Sequence, residues 1–256
     1  MKYIRRLLNY PDGRYKKKIV IALPDSYDPD GEALSVLWLL DGQNQYGEDG
    51  PFGGWQTDRL CEAIESEYGR AFVLVAIDNT VNRESELTMN IGRPVFAYAD
   101  QLPELTGEKF CRFVCDRLVP YIRAHYNVRW DPAENAIIGS SCGGAAAFCI
   151  GMSRPDVFGK IGALSPAFDF FSEASWASWL SRLEFTDETP APRIFFSNGM
   201  NDPLEASLYD SAARMPSILH SLDIPCRCRF VFNSDACHSE AEWRSIMPQV
   251  VEYLFD

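Results

Sequence analysis

No stretch of this chain comes near the roughly 20 consecutive apolar residues of a membrane-spanning helix. Its start, Met1-Lys2-Tyr3-Ile4-Arg5-Arg6 running into Leu7-Leu8-Asn9-Tyr10-Pro11, carries no apolar signal core, so the expected compartment is the cytoplasm. Basic residues are in short supply. Lys and Arg number 24 against 36 Asp and Glu, a formal charge of −12 with no basic cluster to overcome it locally, which argues against nucleic acid and anionic membrane as partners. Histidine is scarcer still, at three residues, so any chemistry that needs an imidazole has few candidates. Low-complexity linkers and internal repeats are lacking too. With 256 residues, 46% of them hydrophobic, the expectation is one domain spanning 1–256 around one large core.

Cysteine, in contrast, is plentiful at eight residues. The eight are scattered through apolar segments of a chain large enough to fold without staples, so free buried thiols are expected. The nearest approach to a metal pattern is Cys226-Arg227-Cys228. Its spacing is tighter than the usual zinc pair and no second pair follows, so neither a metal nor a cofactor is expected. Cys226, Cys228, Phe230 and Phe232 instead read as one face of a period-two strand.

Short apolar runs recur at Ile19–Leu23, Val36–Leu40, Phe72–Ile77, Ala136–Ile138, Ile161–Ser165, Ile194–Ser197 and Cys228–Phe232. They read as strands buried on both faces. Helical spacing fills Asp58–Tyr68, Glu108–Tyr126, Gly143–Ser153, Glu205–Leu222 and Glu240–Phe255. After an initial strand pair, strand and helix alternate. That predicts an α/β architecture, a mostly parallel central sheet flanked by helices. Two segments, Asp78–Thr106 and Pro166–Arg193, are longer than a connection requires and belong at the carboxyl edge of such a sheet, where ligands bind. The second carries Phe168, Phe170, Phe171, Trp176 and Trp179. These aromatics either bury the insertion against the body of the domain or form an apolar cap that stacks on a substrate.

The sequence Ile137-Ile138-Gly139-Ser140-Ser141-Cys142-Gly143-Gly144 holds a Gly-x-Ser-x-Gly frame between a strand and an Ala-rich helix. A nucleophilic serine needs such a sharp turn, and glycine-sized neighbours permit it. Ser141 is the candidate nucleophile. Cys142 is off-centre in the frame, and its backbone N–H is more useful as one oxyanion-hole donor. Ser141 requires a histidine base and a carboxylate to orient it, in the chain order Ser, acid, His. His125 precedes the serine and His220 lies within a helical segment, which leaves His238 in the loop after the last strand. The carboxylate should follow Ile194–Ser197, and Asp202 is the first choice. Glu205 is the alternative, although a carboxylate opening a helix is explained by the helix dipole alone. Asp235 is better suited to shaping its own loop. The second oxyanion donor should be the amide of Gln43, in the loop Asp41-Gly42-Gln43-Asn44. Trp55 and Phe168 are the expected substrate contacts.

Leu39-Leu40-Asp41-Gly42-Gln43, Ala76-Ile77-Asp78-Asn79 with Arg83 and Glu86, the Ser141 frame with Gly144, Gly199-x-x-Asp202, and His238 with Trp243 together resemble the esterase family of α/β-hydrolases. Enterochelin esterases, feruloyl and acetyl-xylan esterases, S-formylglutathione hydrolase and secreted mycolyltransferases belong to it. The resemblance runs from about Ile19 to the end of the chain and is specific in combination. It implies an α/β-hydrolase fold with residues 166–193 as a helical, aromatic cap, and a Ser141, Asp202, His238 triad with the Gln43 and Cys142 amides as oxyanion hole. It also implies an arginine, Arg83, near the pocket; Arg83 could equally pair with Glu86 or another loop carboxylate. Where the family often has glycines before its histidine, this chain has Ala236-Cys237. The expected activity is hydrolysis of a small or aromatic carboxylic ester through an acyl-enzyme. Acyl transfer by the same triad and a non-catalytic binding protein are the alternatives, and a homo-oligomer is left open.

Overall fold

The computed structural model describes residues 1–11, 13, 15–47, 53–95, 101, 104–186 and 191–256. Parts of both long segments, residues 96–100, 102–103 and 187–190, therefore lie outside the described residues. Eight strands form one sheet in the order β1-β2-β4-β3-β5-β6-β7-β8. They are β1 (Lys2–Asn9), β2 (Lys16–Leu23), β3 (Ser35–Leu40), β4 (Phe72–Ile77), β5 (Asn135–Ser140), β6 (Lys160–Leu164), β7 (Arg193–Asn198) and β8 (Arg227–Phe232). β1 and β2 pair antiparallel, as do β2 and β4. From β4 onward every pair is parallel, the mostly parallel sheet that the alternation predicts.

β3, β4 and β5 are buried at every position, and their side chains divide by the period of two. Val36, Trp38, Leu40, Val73, Val75, Ile77 and Ile137 enter one core layer; Leu37, Leu39, Phe72, Leu74, Ala76, Ala136 and Ile138 enter the other. The first layer is covered by α3 (Gly107–Phe113), α4 (Val119–His125), α5 (Cys142–Ser153), α6 (Glu173–Leu180) and α7 (Pro203–Ser221). The second is covered by α1 (Thr57–Tyr68) and α8 (Glu240–Phe255). The segment expected as one helix from Glu108 to Tyr126 winds as a π-turn at Val114–Leu118 between α3 and α4. Pro120 has no N–H to give the carbonyl of Asp116, and the wider turn takes its ring without a clash.

The strand order positions the site. β3 lies between β4 and β5, with Leu39 opposite Ile138, so the loop after β3 and the turn after β5 emerge side by side. The turns after β7 and β8 emerge on the far side of β6. Among the described residues no helix is long and apolar enough to cross a membrane.

The insertion after β6 is helical and aromatic, as expected, with a 3-10 turn at Phe168–Phe170 and α6. Its aromatics face inward. Phe168 is fully buried and meets Phe148 of α5, Phe196 of β7 and Trp176 edge-on, and the Trp176 indole N–H donates to the Phe168 carbonyl at 2.8 Å. The two long segments meet here, where the Val95 N–H donates to the Phe170 carbonyl.

Candidate active site

Ser141 sits at φ 55°, ψ −125° between β5 and α5, a strained backbone state that costs about 1–3 kcal/mol and persists only where its surroundings over-determine it. Three hydrogen bonds do so: the Ser141 N–H donates to Leu164 O, and the Ser141 carbonyl accepts from the amides of Ala145 and Ala167. The glycines of the frame are needed for contact as well. A Cβ on Gly139 would stand 2.4 Å from the Gly143 carbonyl oxygen, and one on Gly143 would stand 2.8 Å from Asp41 Oδ2. Cys142 is buried, and burial pushes its thiol up to about 11, so it carries little thiolate at neutral pH.

His238 lies in the loop between β8 and α8. Its ring stands edge-on to Trp243 at 4.9 Å, and the Trp243 indole N–H donates to Ser165 Oγ at 3.1 Å. The carboxylate against the ring is Glu205: Nδ1 lies 2.8 Å from Glu205 Oε1. Glu205 is fully buried, and its other oxygen accepts the Gly199 N–H at 2.6 Å. Asp202, the first choice from sequence, meets His238 through the backbone instead. Its Oδ2 accepts the His238 N–H at 2.5 Å, while Oδ1 caps α7 by accepting from the amides of Leu204 and Glu205. Burial alone would raise the Asp202 pKa, but those three amides hold it below the ordinary carboxylate value. The reason for this division of contacts is local. Asp-Pro is a strong helix start, with Asp as N-cap and Pro at the first helical position. Both carboxylate oxygens of Asp202 are thereby committed to amides, and Glu205, one turn into the helix, faces inward. The legible signal is Asp202-Pro203 itself, an N-cap pair that commits Asp202 to the helix start.

The turns bearing these groups lock together. A Cβ on Gly199 would stand 2.2 Å from the Ala236 carbonyl oxygen, and that oxygen accepts from the amides of Met200 and Asn201. Ala236-Cys237 thus fits where glycines were expected because the opposing strand-end supplies the glycine. His125 and His220 are exposed on α4 and α7. Asp235 shapes its loop, its carbonyl accepting from Asn201 Nδ2.

On the other side of Ser141, Gly42 lies against the end of β4, where a Cβ would stand 2.6 Å from Ile77 N. Among the described residues no acceptor is found for the amide of Gln43 or of Cys142. The Asn44 side chain donates to Glu240 Oε1 at 3.1 Å, tying this loop to the start of α8. Arg83, at the start of α2 (Arg83–Leu87), pairs with Asp41 and not with Glu86. Burial alone would lower its pKa, yet the Asp41 carboxylate more than offsets this and holds the guanidinium above the usual arginine range. Glu86 pairs instead with buried Lys17.

Trp55 and Phe168, the expected substrate contacts, are both buried. Trp55 is 2% exposed and packs on Trp243 at 5.8 Å, behind the His238 ring, and Phe168 is part of the core. Both are bulky apolar side chains next to interior surface, and burying them stabilises the fold. A very small apolar cavity beside the serine's turn has Leu87, Met89, Cys142, Ala145, Phe170 and Trp176 among its lining residues.

A mostly parallel sheet with a serine on a strained strand-to-helix turn, followed in the chain by an acid and a histidine at the same edge, defines an α/β-hydrolase-fold protein. Residues 14–254 match the Esterase family, described as "Putative esterase", and the chain belongs to that family, a hydrolase class. The uncharacterized protein YbbA of Bacillus subtilis (strain 168) is 24% identical over 191 residues, covering 74% of this chain and 70% of that protein. Among solved structures, an IroE-like serine hydrolase from Shewanella oneidensis superimposes with a TM-score of 0.79 at 19% identity, over 99% of this chain and 80% of that one. The enterobactin esterase FES from Shigella flexneri, in the presence of enterobactin, gives 0.73 at 19% identity, over 100% of this chain and 59% of that one. At these identities the structural likeness is one of fold.

Proposed function

We propose that this protein is a serine carboxylic-ester hydrolase in which Ser141 is the nucleophile, His238 the general base and Glu205 the acid that orients it. The observation that carries the reading is the 2.8 Å contact between His238 Nδ1 and a fully buried Glu205. A carboxylate there keeps the imidazole proton on Nδ1, so Nε2 is the acceptor for the serine proton. Ser141 Oγ attacks the ester carbonyl as His238 takes its proton, and the tetrahedral oxyanion is held by the amides of Gln43 and Cys142. His238 then protonates the leaving alcohol, and the acyl-enzyme is hydrolysed by a water that His238 activates. Asp202 holds the His238 backbone and the start of α7 and takes no part in the proton transfer.

The substrate is a small-molecule ester. The ester panel is acetyl, short-chain acyl and feruloyl, with catecholate esters included because of the similarity to the enterobactin esterase. The test is the Ser141→Ala variant on p-nitrophenyl acetate. Loss of turnover with an unchanged melting temperature supports the assignment, and retained turnover refutes it.

A further inference from the structure

Asp41 directly follows β3 and leads into Gly42-Gln43. Its backbone is left-handed, at φ 50°, ψ 51°, a region that aspartate enters more readily than most residues, and its carbonyl accepts the Asn44 N–H at 2.9 Å. Arg83 fixes its side chain. The guanidinium grips the carboxylate with two parallel bonds, Nε to Oδ1 at 2.6 Å and Nη2 to Oδ2 at 2.7 Å, the strongest geometry available to an arginine. Nη2 makes a third bond, to the carbonyl of Ser140 at 3.3 Å, one residue before Ser141. The space that the carboxylate occupies is the space left by the missing Cβ of Gly143. One guanidinium thus joins the loop carrying the Gln43 amide to the strand end that leads into Ser141 and Cys142. Arg83 is itself anchored, because α2 is pinned through Glu86, which pairs with buried Lys17 and accepts the Thr80 N–H at 2.8 Å.

We propose that the Arg83–Asp41 pair is a positioning device that sets the distance between the two oxyanion-hole amides, so that Arg83 acts on the transition state without binding the substrate. The inference rests on the reading of Gln43 and Cys142 as that hole. An oxyanion donor works only within about 2.7–3.1 Å of the developing charge, and a misplacement of about 1 Å costs on the order of 100-fold in rate. Two edges of the pair are already committed: Asp41 is 3% exposed, and the Nε and Nη2 side of Arg83 is filled by its carboxylate.

The experiment measures kcat and KM on phenyl acetate, and Ki for phenylboronic acid as a tetrahedral analogue, in Arg83→Met, Asp41→Asn, the double variant and Arg83→Lys. Arg83→Met is expected to lower kcat by about 30- to 100-fold with KM within about twofold, and to raise the boronate Ki by a similar factor. The double variant should be no worse than the poorer single one, because both break one link. Arg83→Lys keeps the charge without the fork and should fall between wild type and Arg83→Met, which keeps the comparison available if the methionine variant does not fold. A rise in KM at unchanged kcat makes Arg83 a substrate contact and overturns the proposal, as does wild-type kcat in Arg83→Lys or additive losses in the double variant. Absence of ester turnover and of fluorophosphonate labelling in the wild type would instead refute the reading of the site.

Discussion

Glu205→Gln and Asp202→Asn separate the two carboxylates by what each holds. In the wild type, Glu205 Oε2 accepts the Gly199 N–H and Oε1 faces His238 Nδ1. A glutamine must keep its carbonyl oxygen toward Gly199, since an NH2 there would confront another donor. Its NH2 is then turned to Nδ1 and donates, which moves the ring proton to Nε2 and removes the acceptor that Ser141 needs. Wrong-tautomer substitutions of this kind lower kcat by about 10⁴-fold, about 5 kcal/mol of barrier. Asp202→Asn leaves the ring untouched. Asparagine caps a helix as well as aspartate does, so the loss is the charge-assisted bond to the His238 amide, about 1.5–3 kcal/mol spent largely on loop order. A fall of about tenfold in kcat/KM is expected. The assay is kcat/KM for p-nitrophenyl acetate, with melting curves as the control for folding. If Asp202→Asn proves as inactive as Glu205→Gln, or if Glu205→Gln keeps more than about a tenth of wild-type kcat, the assignment of roles is wrong.

Asp169, in the turn after β6, has a buried Oδ1 for which no partner is found among the described residues, and burial raises its pKa. A raised folded-state value means that its contribution to stability is full below the unfolded aspartate pKa of about 3.9 and is lost as pH rises through the folded value. Asp169→Asn should therefore raise the melting temperature at neutral pH and leave it unchanged below that unfolded value; an equal effect at both would show that charge is not the cause. Trp55→Ala should cost about 3–5 kcal/mol of stability in denaturant unfolding, as for other buried aromatics; a rise in KM at unchanged stability would restore Trp55 to the substrate site.

Much of the sheet is legible because β3, β4 and β5 are apolar on both faces, and that pattern needs no partner to be read. β1 is not. Lys2–Asn9 mixes charge with Tyr3, Ile4, Leu7 and Leu8, is largely exposed, and pairs on one side only with β2, so its strand state depends on a neighbour that its own residues do not specify. The Gly-x-Ser-x-Gly spacing marks the turn at Ser141 because steric contacts at Gly139 and Gly143 demand it. The acid resists such reading. Asp202 and Glu205 stand three residues apart at one helix start, both chemically able to face an imidazole, and what separates them is the extended backbone of Asp202 at φ −147°, ψ 166°, which aims its oxygens at amides. Arg83 was legible as a loop residue in need of a carboxylate, but Asp41 lies 42 positions earlier and is brought to it only by the adjacency of β3 and β4. Trp55 and Phe168 show that an aromatic side chain alone does not distinguish a core from a pocket.

The most direct test of the central claim is covalent. The wild-type protein is treated with a fluorophosphonate, digested, and the adduct mapped by peptide mass spectrometry. The account predicts a single adduct on Ser141, absent from Ser141→Ala and slowed in Glu205→Gln. An adduct on Cys142, or ester turnover that continues with no adduct on Ser141, would contradict it.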